Sequence, residues 1–373
     1  MLSRTKSLFE IYSCNPAGPL PPYTGPKRRL FPATLRIICP ERSQLRFPST
    51  GMKGSFGCVL LLLSLLILLV GCGSTSQLPA PAPTAHSPAQ PTGTLTSGNG
   101  GGTGLIALAC GSGGKAEVCI SRLDGSAMRQ LTHGSGPDVS PAWSPDGKRL
   151  VFRAAGADVF EASDILIMHA DGSGQANLTK DKQSNWGATW SPDGKHILFN
   201  STRDGGRPHL YIMNPDGSGL RRLCPHSNLW EEYPDWSPDG TKIAFMTNVA
   251  TGSWVINVMN ADCTGLKQVT QGPGEDGGPR WSPDSKKIAF TSNRTGHAEV
   301  YVMNAGGSQV TRLTSSPKDT SFNSPDWSPD GTKLLFLHSL PNSGEIWIMN
   351  ADGSAQTKLM DAYGFGDGPV WQP

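Results

Sequence analysis

Beyond residue 104, short apolar segments alternate with polar turns in an order that returns several times along the chain. A Trp-Ser-Pro-Asp-Gly motif, as at residues 236–240, is followed by an apolar segment such as residues 242–246. A polar loop, a second apolar segment such as residues 300–304, an Asp-Gly-Ser-Gly turn and a closing Leu-Thr pair complete the unit. Pro and Gly at these turn positions suit a type I turn, and short apolar runs between turns are typical of strands. Each unit therefore predicts four β-strands.

The tryptophan of this motif recurs at a nearly constant spacing. Six copies stand 44 to 47 residues apart, at Trp143, Trp190, Trp236, Trp281, Trp327 and Trp371. A period in the forties made of short strands is typical of a β-propeller, in which each repeat forms one blade. A phenylalanine of each second strand recurs with the same period, at Phe152, Phe199, Phe245, Phe290 and Phe336. We expect these aromatic side chains to pack between neighbouring blades.

The first and last repeats are incomplete in complementary ways. Residues 106–125 align without a gap with residues 288–307, but no opening strand precedes them. The final segment, residues 368–371, is an opening strand with nothing after it. Pairing the two removes an exposed sheet edge. The sequence therefore predicts an all-β, six-bladed β-propeller over residues 104–373, with four-stranded blades and a first blade closed by the C-terminal strand.

The repeated Trp-Ser-Pro-Asp-Gly motif resembles the repeat of TolB-type propellers, which are related to WD-type repeats. The resemblance covers residues 104–373 and implies a propeller in the cell envelope. TolB itself carries an additional N-terminal α/β domain that docks in its envelope complex, whereas this chain has a Ser/Pro/Gly-rich segment in that place.

The first hundred residues have the features of processing signals. Met52 and Lys53 precede an apolar run over residues 58–70, which is the layout of a secretory signal. The run has about 13 residues, fewer than the ~20 of a membrane-spanning helix, which favours the signal over such a helix. The tetrad at residues 69–72 resembles the lipobox of bacterial lipoproteins, which implies that Cys72 is lipidated and becomes the mature N-terminus. We interpret residues 1–51 as a disordered extension upstream of the true start, residues 52–71 as the signal peptide, and residues 72–103 as a flexible tether.

Charge and motifs narrow the classes of function. The net charge is only +2, which does not favour nucleic-acid binding. The sequence has no Gly-x-Ser-x-Gly elbow, no His-Glu-x-x-His and no Cys-x-x-Cys, and we expect neither a cofactor nor a metal. Two of the repeated turns mimic the opening of a calcium loop, but Met246 and Leu337 stand where its final glutamate belongs.

The cysteines of the repeats suggest an oxidising compartment. Cys110 and Cys119 lie on the second and third strands of the first blade, where they could form a cross-hairpin disulfide or remain as two buried thiols. Cys224 ends a fourth strand, while Cys263 lies in a turn between a third and a fourth strand. Because strands alternate in direction, we expect Cys224 and Cys263 on opposite faces and therefore unpaired.

The loops that precede each opening strand carry acids and aromatics at matching offsets from the tryptophans. The predicted ligand-binding rim consists of Asp138, Trp186, Glu231, Glu232, Asp276, Phe322 and Asp367. Acids from different blades would share one rim, repel one another and have raised pKa values, which favours a cationic partner. The alternative is that these loops are polar only because they face solvent.

Two classes of function stay open from the sequence. The first is a non-catalytic, monomeric propeller, anchored to the envelope through Cys72, that binds an envelope protein, a peptide or a glycan. The second is an enzyme acting on a polysaccharide or a peptide, with its site in the central channel. A histidine and acid cluster at one end of that channel would favour the enzyme.

Overall fold

The computed structural model describes residues 104–112, 115–155, 162–248, 252–341, 343–362 and 368–373. These residues form strands, turns and loops, and the strands make six four-stranded antiparallel sheets. The described residues contain no helix of the length and hydropathy needed to cross a membrane. The predicted all-β, six-bladed propeller is confirmed. Cys72 and the three N-terminal segments, residues 1–51, 52–71 and 72–103, lie outside the described residues.

Each sheet is one blade of the propeller. Blade 1 consists of β24 (Val370–Trp371), β1 (Leu105–Ser112), β2 (Lys115–Arg122) and β3 (Arg129–Gln130). Blade 2 consists of β4 (Asp138–Trp143), β5 (Arg149–Ala155), β6 (Ser163–His169) and β7 (Ala176–Asn177). Blade 3 consists of β8 (Asn185–Trp190), β9 (Ile197–Ser201), β10 (His209–Met213) and β11 (Arg221–Arg222).

The other three blades repeat this order. Blade 4 consists of β12 (Glu231–Trp236), β13 (Lys242–Asn248), β14 (Trp254–Asn260) and β15 (Lys267–Gln268). Blade 5 consists of β16 (Asp276–Trp281), β17 (Lys287–Ser292), β18 (Glu299–Asn304) and β19 (Thr311–Arg312). Blade 6 consists of β20 (Ser321–Trp327), β21 (Lys333–Leu340), β22 (Ser343–Asn350) and β23 (Thr357–Ala362).

The strand that ends in the repeated tryptophan is the innermost strand of each blade. These inner strands contact one another in the order β4, β8, β12, β16, β20 and β24, and β24 contacts β4 again, so that the ring closes around a central channel. Because every repeat runs in the same direction, the connections between blades lie at one end of the ring, here called the loop end. The Ser-Pro-Asp-Gly turns lie at the opposite end, the turn end.

The C-terminal strand closes the first blade as predicted. In β24, Val370 and Trp371 pair with Ala107 and Ile106 of β1. The Trp371 backbone N–H also donates to Oδ2 of Asp326 in blade 6 at 2.8 Å. These contacts tie the end of the chain to both of its neighbours in the ring.

The repeated aromatics lie where the pattern predicts. The five repeated phenylalanines are fully buried, and each packs between its own blade and the preceding one. In each Ser-Pro-Asp-Gly turn the serine hydroxyl donates to the aspartate, as between Ser144 and Asp146 at 2.6 Å. This bond lowers the pKa of Asp146, and the aspartates of these turns therefore stabilise their own loops.

Two disulfides join four cysteines of the described residues. Cys110 and Cys119 are bonded across the β1–β2 hairpin. Cys224 and Cys263 are also bonded, with Cα atoms 5.8 Å apart, so the prediction that they would not pair was wrong. That prediction compared the faces of strands within a blade. The outer strand β11 has only two residues, and the chain after it reaches the β14–β15 turn of blade 4.

Candidate functional site

The wall of the central channel is built from a bulge in each inner strand. In blades 2 to 6 the pairing of the inner strand shifts by one residue. The residue at the bulge has a positive φ, from 49° at Tyr233 to 62° at Gly187. A bulge bends its strand and redirects the side chains beside it. The bulges therefore decide which residues line the channel.

A cavity lies where these bulges meet. Its lining residues are Ser140, Pro141, Gly187, Ala188, Tyr233, Pro234, Arg280 and Val370. They come from the inner strands of five different blades, which meet only around the axis of the ring. The cavity itself has a volume of about 20 Å³, and the empty space is about 330 Å³ when the open mouth and the solvent in it are included. Most of its wall is small or apolar, and Tyr233 and Arg280 supply its large polar side chains.

Two aspartates flank Arg280 in the channel wall. Nε of Arg280 lies 3.9 Å from Oδ1 of Asp326, and Oδ2 of Asp235 accepts the backbone N–H of Trp281 at 2.7 Å. Burial raises the pKa of Asp235 to about 6 and that of Asp326 to about 7, and Arg280 opposes both shifts. The three residues come from the inner strands of blades 4, 5 and 6, so this side of the channel changes its charge near neutral pH.

Glu232 of blade 4 is a third acid with a raised pKa. Its side chain is only 6% exposed, and burial raises its pKa to about 8, while a hydrogen bond from the Trp186 side chain opposes the shift. Glu232 is therefore mostly protonated at neutral pH. Trp186 and Glu232 occupy equivalent positions on adjacent inner strands, so this pair of predicted rim residues lies together.

Three other predicted rim acids are buried, and each of the three has close polar neighbours. Asp138, Glu231 and Asp276 are 6%, 1% and 4% exposed. Oδ1 of Asp276 accepts a bond from Arg294 at 2.8 Å, and Oε2 of Glu231 accepts the Leu210 N–H at 3.2 Å.

The pKa values of two of these acids are raised, but mutual repulsion around a rim is not the main cause. Burial raises the pKa of Asp138 to about 6, and the nearby Glu117 carboxyl adds to the shift. Burial also raises the pKa of Glu231. Ligand binding by these acids stays a prediction.

Of the two remaining rim residues, Phe322 and Asp367, the structure describes only Phe322. Phe322 is buried in blade 6, where its ring lies 4.4 Å from the His338 ring and 5.3 Å from the Phe336 ring, measured between centroids. Asp367 lies outside the described residues. Phe322 thus contributes to the packing of its blade.

Acids at the start of the third strands bond to their own blade. Glu117 accepts from the Thr132 hydroxyl at 2.5 Å, Asp164 from Thr179 at 2.6 Å, and Glu299 from Thr314 at 2.6 Å. In each case the threonine belongs to the Leu-Thr pair that follows the outer strand. These acids stabilise the edge of the blade.

Two buried histidines lie near acids, but in opposite parts of the ring. Nδ1 of His209 in blade 3 lies 3.7 Å from Oε2 of Glu231, and Nδ1 of His338 in blade 6 lies 3.0 Å from Oε2 of Glu345. Blades 3 and 6 face each other across the channel, so the two pairs do not meet. No group of three or more metal-binding side chains occurs in the described part of the chain.

Sequence reasoning missed Asp235, Arg280 and Asp326 as channel residues. All three directly precede a repeated tryptophan, a position that holds alanine, threonine or valine in the other repeats. Comparing this position across the repeats would have shown that blades 4 to 6 place charge beside the channel.

Comparison with known proteins agrees with this architecture. The family model described as the TolB beta propeller domain matches residues 105–248 and 227–373. A crystal structure of TolB from Acinetobacter baumannii is 24% identical, covers 74% of this chain and 68% of its own, and superposes with a TM-score of 0.63. A putative TolB from Agrobacterium tumefaciens is 23% identical, with coverage of 70% and 91% and a TM-score of 0.57.

More distant structures share the propeller alone. Hydrazine synthase from Kuenenia stuttgartiensis is 15% identical over 72% of this chain and 46% of its own, with a TM-score of 0.57. No curated protein sequence matches the chain. Identities this low establish a common fold and not a common activity. The family model, in contrast, spans most of the sequence, and the chain belongs to the TolB β-propeller domain family.

Proposed function

We propose that this protein is a non-catalytic binding propeller that receives a segment of a protein, peptide or glycan partner at its central channel. The observation that carries the proposal is the cavity on the axis, to which five blades contribute. Recognition sites are usually concave and combine apolar surface with a few polar groups, and the wall of this cavity has both.

The chemistry of the wall supports a ligand that combines apolar and polar groups. The prolines and Ala188 offer apolar surface, while Tyr233 and Arg280 offer hydrogen-bond donors. Asp235 and Asp326 lie beside Arg280, so the wall presents both signs of charge within one small region. Trp186 and Glu232, the two predicted rim residues that lie together, belong to the same proposal.

We also propose that the protein is a lipoprotein of the bacterial cell envelope, held by a lipid on Cys72 and a tether over residues 72–103. The tetrad at residues 69–72 motivates this location. Two disulfides in the propeller support it, because such bonds persist in oxidising compartments. Replacing Cys72 with Ser should release the protein from the membrane fraction. A native protein that retains residues 1–71 in its mass spectrum would contradict the proposal.

The enzyme alternative finds less support. A hydrolase or lyase needs an acid and a base that reach one substrate atom. The His209–Glu231 pair joins blades 3 and 4, and the His338–Glu345 pair lies in blade 6 on the opposite side of the channel, so the two pairs do not converge on one substrate.

Capture of an envelope partner by channel variants tests the proposed function. The parent protein and its Tyr233→Ala and Arg280→Gln variants are compared as bait, and Lys195→Ala at the turn end serves as the matched control. The channel variants should lose most of the captured partner and the control should lose none. Equal capture by all four proteins would refute the proposal.

A further inference from the structure

The junction between blades 3 and 4 departs from a pattern that four of the six junctions share. At these four junctions, the residue that follows an outer strand packs against a glycine of the next blade. This glycine lies in the turn between the third and fourth strands and has a positive φ. A Cβ on Gly172 would lie 3.1 Å from the Leu131 carbonyl oxygen, which leaves little room for a side chain. The four glycines are Gly172, Gly217, Gly307 and Gly353. Between blades 3 and 4 the equivalent residue is Cys263.

Cys263 occupies this position in a glycine-like conformation. Its φ is 71°, a region that residues with a Cβ rarely adopt, and its Sγ lies 3.4 Å from the Leu223 carbonyl oxygen. A glycine would relieve both constraints, yet the sequence keeps a cysteine, and that cysteine is bonded to Cys224. The disulfide is the feature that distinguishes this junction.

Cys224 also replaces a repeated residue. At the same four junctions a threonine hydroxyl accepts the backbone N–H of the second, third or fourth residue of the third strand, at 2.8–3.2 Å. The four threonines are Thr132, Thr179, Thr270 and Thr314. With Cys224 in this place, Leu210 N–H donates to the Glu231 carboxylate of blade 4 instead. Three residues thus depart together from the repeat at one junction.

The two disulfides differ in their access to solvent. Cys110 and Cys119 are 7% and 2% exposed, so both sulfurs of the hairpin bond are buried. Cys224 is buried as well, but Cys263 is half-buried between two exposed turn residues. Disulfides with access to solvent exchange with external thiols more readily than enclosed ones.

We propose that the Cys224–Cys263 bond is a thiol–disulfide exchange site, which a dithiol opens at Cys263 while the propeller keeps its fold. The thiolate of the dithiol attacks Sγ of Cys263 and forms a mixed disulfide, and Cys224 leaves as a thiolate that takes a proton from water. The second thiol then attacks the mixed disulfide and releases Cys263. The dithiol ends as a cyclic disulfide, and its two electrons have passed to the two cysteines.

Opening this bond frees the start of the connection between blades 3 and 4, residues 224–230. In the oxidised form, Ser227 N–H donates to the Cys224 carbonyl at 3.1 Å, and Arg222 donates to the Ser227 carbonyl. This connection leads directly into Glu231 and Tyr233 of the inner strand β12. We expect the disulfide to add to these two hydrogen bonds in holding this stretch of the loop end. The buried core between blades 3 and 4 remains in place without the disulfide.

Reduction of the full-length protein under native conditions tests the proposal. Dithiothreitol is added without denaturant, thiols are alkylated at intervals, and the modified peptides are quantified by mass spectrometry. Cys224 and Cys263 should become alkylated at least about tenfold faster than Cys110 and Cys119, while circular dichroism keeps its native shape. Equal rates, the opposite order, or alkylation only together with unfolding would overturn the proposal.

Amide hydrogen exchange provides a second readout. After selective reduction, residues 225–230 should exchange faster, and the β1–β2 hairpin should exchange as before. The variant C224T/C263G restores the residues of the other junctions and is the folded control, which dithiothreitol should leave unchanged in both assays. Unchanged exchange at residues 225–230 after reduction of the parent protein would contradict the expected part of the disulfide in holding the loop end.

Discussion

Deleting residues 368–373 removes β24 and opens the ring at blade 1. The deletion takes away the Trp371 N–H bond to Asp326, the Gln372 N–H bond to the Leu105 carbonyl at 3.0 Å, and the Gln372 side-chain bond to the Gly147 carbonyl at 2.8 Å. It also removes the half-buried Trp371 side chain and takes one hydrogen-bond donor from the embedded Asp326 carboxyl, which keeps Arg280 beside it.

The expected loss in the free energy of unfolding can be worked out from these contacts. Three hydrogen bonds contribute about 3 kcal/mol, and the lost burial of the Trp371 indole contributes about 3 kcal/mol more. The expected loss of about 6 kcal/mol is a large fraction of the stability of a typical domain. For a domain of this size it corresponds to a fall in melting temperature of about 15 °C.

Thermal unfolding followed by tryptophan fluorescence measures this fall. Ile106 and Ala107 of β1 then present an unpaired edge, so the truncated protein should also associate in size-exclusion chromatography. Removing only the exposed Pro373 is the control and should change neither property. A truncated protein that melts within about 3 °C of the parent would show that β24 does not close the ring.

Three further predictions follow from single contacts. Replacing Arg294 with Ala leaves a buried carboxylate unpaired and should cost about 3 kcal/mol in urea unfolding, whereas Lys286→Ala, at an exposed ion pair, should cost less than about 0.5 kcal/mol. The pKa of Glu232 is about 8 in the folded state and about 4.3 in the unfolded state, so the folded state loses stability as pH rises between these values. The melting temperature of Glu232→Gln relative to the parent protein should therefore increase from pH 5 to pH 9. Replacing Cys224 and Cys263, which are 39 positions apart, should lower the free energy of unfolding by about 4 kcal/mol in the same assay. Removing the hairpin disulfide, which joins positions 9 apart, should lower it by about 2.5 kcal/mol. Equal losses would contradict the argument that a disulfide stabilises more when it closes a longer loop.

The fold was predictable because its signal repeats. The tryptophan spacing gave the number of blades, and the missing first strand matched the surplus last strand, so the closure between β24 and β1 followed from the sequence. Local patterns were sufficient here because each blade contacts mainly its neighbours in the ring.

The candidate site in the channel was less predictable because it depends on which side chains of the inner strands point into the channel. The offsets from the tryptophans predicted Asp138 and Asp276 in the loops before the inner strands, whereas they are the first residues of these strands and their side chains are buried. The bulge after Glu232 changes which residues face the channel, and no sequence period marks a bulge. The Cys224–Cys263 bond was missed for a related reason, since it crosses between blades where strand alternation gives no register.

The central claim is that the partner binds at the channel, and site-specific photo-crosslinking tests it most directly. A photoreactive amino acid is placed at Tyr233 in the channel wall and, in a second protein, at Lys195 at the turn end. Both proteins are expressed in their native envelope and irradiated, and crosslinked products are identified by mass spectrometry. The account predicts a defined partner crosslinked from Tyr233 and none from Lys195. Crosslinks from Lys195 alone, or equal crosslinks from both positions, would contradict it.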